Sequence, residues 1–101
     1  MDTNELIDRI TKEWANRGLV IEGGWQAFRL TAIPKNAHEI QLREMKVAYY
    51  AGCQHLFACM MSTLDEQEEP TPEDLRRVEL IHKELDRWVN ELKRAREAKG
   101  N

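Results

Sequence analysis

Two histidines and two cysteines are the side chains of this sequence with the strongest chemistry on offer. His55 and Cys59 are four residues apart, a spacing that lets two ligands on one helix share a metal ion. Cys53 precedes them and His82 lies further along. A structural zinc site is four-coordinate, usually with two cysteines about two to four residues apart. That spacing is absent. Cys53 and Cys59 are six apart, so on a helix their side chains diverge by roughly 120° and cannot bridge each other. The simpler reading makes both cysteines small core residues of a reducing compartment. It makes His55 an exposed helix residue and His82 a histidine at the edge of an apolar stripe. Cys–His nucleophilic chemistry also needs a third orienting group and an oxyanion site, and no residue offers either. No catalytic residue, cofactor or metal is expected, and the chain reads as a non-enzyme.

Charge offers two further candidates. Residues 65–74, DEQEEPTPED, hold six acids and no base, but they lack the alternating pattern and glycine of a calcium loop and read as a solvated connection. Lys93, Arg94, Arg96 and Lys99 gather at the other end of the sequence. The first three are the residues a nucleic-acid-binding protein would use, yet cations at a helix C-terminus complement its dipole without any ligand. The formal charge of −3 argues against both a basic DNA-binding domain and a DNA mimic. The pair Gly23–Gly24 is no phosphate loop, since no GK[ST] follows.

These residues sit on four segments of helical periodicity. In the first, Asp2 and Glu5 have capping-box spacing, and Leu6, Ile7, Ile10 and Trp14 share a face. Three acid-first pairs at i,i+4 follow: Glu5–Arg9, Asp8–Lys12 and Glu13–Arg17. Gly18 and Leu19 suit a Schellman ending over Trp14, so a helix is predicted over about 3–17. Residues 20–33 read as helix or strand. The 4, 3, 4 spacing of Ile21, Trp25, Phe28 and Ala32 favours a helix over about 21–32, against about 1 kcal/mol for each of Gly23 and Gly24. Pro34 ends it.

Asn36 and Glu39 form the next capping box, opening a helix over about 37–64. Leu42, Met45, Tyr49, Tyr50, Cys53, Leu56, Phe57, Met60 and Met61 are among the residues of an apolar arc of roughly 200°, about twice that of an ordinary surface helix. Gly52 leaves a low spot there for another backbone. Thr71, Pro72 and Asp74 open the last helix, over about 72–98, with a frayed end at about 97–101. Val78, Leu85 and Leu92 repeat every seven residues, as do Ile81, Trp88 and Ala95, an a/d seam.

The fold class expected is therefore all-α and single-domain over 1–101: a long antiparallel hairpin of residues 37–64 and 72–98 with two shorter N-terminal helices packed on it. The arc on the third helix exceeds what one neighbour covers, and each large apolar side chain left exposed forfeits roughly 1.5–3 kcal/mol. A homodimer follows as the expectation, with a further protein partner and no membrane. The longest apolar run falls far short of the roughly 20 residues of a spanning helix. The acidic, periodic opening MDTNELIDRI is unlike a signal peptide, so a cytoplasmic location is expected.

The stretches GWQAFRLTAIP (24–34), EMKVAYYAGCQHLF (44–57) and EEPTPEDLRRVELIHKEL (68–85) resemble a group of small helical proteins encoded by phages and prophages. The resemblance covers residues 21–89. It implies a bacterial cytoplasm and an accessory role in the phage programme, and it carries no biochemical activity. Within AGCQHLF, Gln54 and His55 fall on the polar side of the helix and are recognition candidates. Tyr50, Phe57 and Met61 on the apolar arc complete the expected interaction surface.

Overall fold

All four segments are α-helices in a computed structural model of the chain: α1 (Thr3–Asn16), α2 (Val20–Ala32), α3 (Glu39–Thr63) and α4 (Pro72–Gly100). The structure describes residues 2–64 and 69–100, and no strand occurs among them. Four residues of the acidic connection, 65–68, thus lie outside the described residues. The chain divides into two units, Met1–Cys59 and Met60–Asn101.

In the first unit, Asp2 caps α1 by accepting the Glu5 N–H at 2.8 Å. Leu6, Ile7, Ile10 and Trp14 are half-buried along one face, and α1 packs against α2. The helix ends as its sequence dictates. Gly18 takes φ +80, the Leu19 N–H reaches the Trp14 carbonyl and the Gly18 N–H reaches Ala15, both at 2.9 Å. This is the Schellman pattern. Leu19 then serves as the N-cap of α2, so three residues turn the chain between the helices. The expected ion pairs of α1 do not form. Arg9 pairs instead with Glu13 at 3.2 Å, and Arg17 lies over the Trp14 ring, 4.3 Å from its centroid. Exposed i,i+4 pairs differ by only tenths of a kcal/mol, so a cation–π contact suffices to redirect Arg17.

The strand alternative for 20–33 is excluded by the structure: α2 is continuous through both glycines. A methyl group on Gly23 would stand 2.7 Å from Trp14 Cβ and 3.2 Å from the Thr11 carbonyl oxygen. Gly23 therefore marks a close approach of α1 and α2. A methyl on Gly24 would run into the Tyr49 hydroxyl. Gly52 has open space instead. Ile33 leaves α2 in an extended conformation, the state Pro34 imposes on the residue before it.

α3 starts two residues later than its sequence suggests. The Ala37 N–H closes a turn on the Pro34 carbonyl at 3.1 Å, which occupies Lys35 and Asn36. His38 caps the helix in place of Asn36, its Nδ1 accepting the Ile40 N–H at 3.2 Å. From Glu39 the helix runs unbroken through Gly52 to Thr63.

In the second unit, Thr71 and Asp74 form the reciprocal cap. Thr71 Oγ1 accepts the Asp74 N–H and Asp74 Oδ2 accepts the Thr71 N–H, each at 3.1 Å. Asp74 is 5% exposed, and its charge is balanced by Arg77 at 3.3 Å. Arg77 also donates to the Thr63 carbonyl, one of the terminal carbonyls of α3 that a helix cannot satisfy itself. The α3 end and the α4 start are thereby tied across their connection. Thr71→Ala is expected to lower stability by about 1 kcal/mol, read as a lower urea midpoint with unchanged slope. α4 continues through Gly100, past the 98 expected, and Asn101 lies outside the described residues.

Candidate functional site

α2 and α3 meet through aromatic rings. Trp25, which is 3% exposed, lies 5.7 Å from Tyr49 and 6.1 Å from Phe28, centroid to centroid. Tyr49 contacts Phe28 at 5.7 Å and Tyr50 at 6.4 Å. Such offset and edge contacts each add about 0.5–1.5 kcal/mol to the burial itself. These four aromatics form a packed cluster rather than an open stripe. Burial pushes the Tyr49 phenol above its ordinary value, and the adjacent Cys53 adds to the shift.

Beside the rings sits Glu22, the polar centre of this contact. Tyr50 Oη donates to Glu22 Oε1 at 2.7 Å, Lys46 Nζ approaches the same oxygen at 3.0 Å, and Gln26 Nε2 donates to Oε2 at 2.9 Å. The Tyr50 hydrogen bond, foremost, holds the Glu22 carboxyl below its usual 4.5 against the opposing effect of burial; Gln26 and Lys46 assist. The same bond pushes the Tyr50 phenol up to about 12.

These shifts define a pH window. A carboxyl lowered in the folded state stabilises it above the ordinary value, and that contribution is lost as pH falls through and below 4.5. A phenol raised in the folded state stabilises below 10, and its contribution is lost as pH climbs from 10 toward 12. The melting temperature, followed by circular dichroism, should therefore decline on both sides. Tyr50→Phe should weaken the alkaline decline.

On the outer side of this contact lies a groove of about 350 Å³, lined by Val20, Ile21, Tyr50, Cys53, Gln54 and Phe57. Its walls are almost wholly apolar. Three of the sequence-predicted interaction residues, Tyr50, Gln54 and Phe57, come together there. His55 is exposed and does not line the groove. Met61, in the second unit, is also exposed. Val20, Ile21 and Cys53 were not expected at the site. Ile21 falls on the stripe of Trp25 and Phe28, and Cys53 reads as a small core residue; no sequence signal turns them toward a groove.

Cys53 is half-buried and Cys59 exposed. His82 is exposed rather than at a core edge, beside Asp86 at 3.3 Å. Among the described residues no three of His, Cys, Asp and Glu converge as metal ligands would. Lys93, Arg94 and Arg96 are exposed on the last turns of α4. No helix among the described residues is long and apolar enough to cross a membrane. The chain matches no protein-family model, no curated protein and no solved structure.

Proposed function

We propose that this chain is a non-enzymatic protein–protein interaction module that pairs with a second copy of itself through the α2–α3 groove. The observation that carries the reading is Phe57, 61% exposed at an apolar groove. Val20, Ile21 and Leu56 are exposed as well. Side chains of this size each gain roughly 1.5–3 kcal/mol on full burial. A two-fold contact in which each copy offers the same groove and the same Phe57 buries all of them at once.

The long antiparallel hairpin of residues 37–64 and 72–98, carrying the two shorter helices, belongs to the same proposal. The short connection, the matched seven-residue repeats and the Arg77 tie to Thr63 support it. In the setting that the likeness to phage and prophage proteins implies, the module acts on a host or phage protein in the bacterial cytoplasm.

Sedimentation velocity across a range of concentrations tests the pairing. Wild type is expected to pass from monomer to dimer. Phe57→Asp, a change at an exposed position, should remain monomeric with its helicity intact. A wild-type chain that stays monomeric throughout would overturn the reading.

A further inference from the structure

The other side of the α2–α3 contact has a different chemistry. Two clefts of about 320 and 340 Å³ adjoin there and share Gln26, Arg29 and Leu42. Leu30, Ile33, Pro34 and Lys35 complete the first. Trp25, Glu39, Arg43 and Lys46 complete the second. Four bases thus surround one continuous depression with a single acid, in a chain whose net charge is −3.

Most of these bases lack a counter-charge. Lys46 is engaged by Glu22. Arg29, Lys35 and Arg43 make no ion pair among the described residues. The three bases are not a run in the sequence; the Pro34 turn and the helix pair bring them to one place. Leu30, Ile33, Pro34 and Leu42 add apolar surface to the same lining. Cations and hydrocarbon in one lining complement a chain that alternates carboxylates with an apolar side chain.

We propose that this cleft docks an acidic peptide segment of a protein partner, with an apolar residue against Leu30, Ile33 and Leu42 and flanking carboxylates on Arg29, Lys35 and Arg43. A single-stranded nucleic acid fits less well. It needs exposed rings on which bases stack, and the aromatic ring of this cleft, Trp25, is buried. The proposal is independent of the Phe57 groove, which lines neither cleft.

Random dodecapeptides displayed on phage, selected on the immobilised full-length wild-type chain, test it. Enriched peptides should carry acids flanking an apolar residue. They should bind the Arg29→Glu/Arg43→Glu variant about tenfold or more weakly and lose affinity with added salt. Lys35→Glu, in the exposed turn, is the second variant should the first melt early. Peptides without acids, acidic peptides that bind the charge-reversed variants equally well, or no enrichment at all would overturn the proposal. So would displacement of the peptides by a single-stranded oligonucleotide that binds more tightly. Phe57→Asp should leave peptide binding unchanged, which separates this site from the dimer contact.

Discussion

Trp25→Ala is expected to destabilise the chain by about 3–5 kcal/mol, a large share of what a small domain has. Among the described residues, the buried hydrophobic side chains are Trp25, Ala27 and Ile33. Of these, Trp25 alone touches two other rings, Phe28 and Tyr49. Removing the indole takes away the ring that Tyr49 packs on across the contact between α2 and α3. Small domains have total stabilities of about 5–15 kcal/mol, so a loss of this size takes up much of the margin. Urea unfolding followed by circular dichroism should show the midpoint collapsing. Phe28→Ala, at a more exposed ring of the same cluster, should cost clearly less. Equal losses at both positions would show that Trp25 is not the centre of the packing.

Gly23→Ala is expected to destabilise as well, with the opposite sign to what a helix alone would give. On an isolated helix, alanine in place of glycine gains about 1 kcal/mol. At Gly23 the new methyl would stand 2.7 Å from Trp14 Cβ. That atom is fixed to the α1 backbone and cannot swing aside, so the two helices must separate. Overpacking of this kind costs about 1–3 kcal/mol, which outweighs the propensity gain. Gly24→Ala meets the Tyr49 hydroxyl, the far end of a side chain that can tilt, and should cost less. Gly52→Ala meets nothing and should stabilise by roughly 0.5–1 kcal/mol. The ordering Gly52→Ala, Gly24→Ala, Gly23→Ala in falling melting temperature checks the helix contacts.

The same three glycines show where sequence reasoning reaches and where it stops. As letters they carry the same backbone penalty, and Gly52 looks like the natural contact point because it lies in a long apolar arc. Close approach actually falls at Gly23, because the sharp corner at Gly18 folds α1 back on α2, and that is a tertiary fact. Ends governed by local bonds were legible: the Gly18–Leu19 ending of α1 and the Thr71–Asp74 cap of α4 depend on neighbours within a few residues. Asn36 misled because the Pro34–Ala37 turn takes precedence over a capping box, and His38 then supplies the acceptor.

The sites divide in the same way. Tyr50, Gln54 and Phe57 line one groove because they lie on adjoining faces of one helix. Val20, Ile21 and Cys53 complete the groove from positions that read as core. The basic cleft left no trace in the sequence, since Arg29, Lys35 and Arg43 lie six and eight residues apart. The conspicuous run at Lys93–Arg96 reads more readily as a charge cluster.

Cys53 offers the most direct measurement of whether a second copy fills the groove. In a Cys59→Ser background it is the sole thiol, and it lines that groove. Labelled with excess thiol reagent from about micromolar to about millimolar chain, wild-type Cys53 should react progressively more slowly as partners cover it. The Phe57→Asp version should react at one rate throughout. A wild-type rate that does not change with chain concentration would contradict the account.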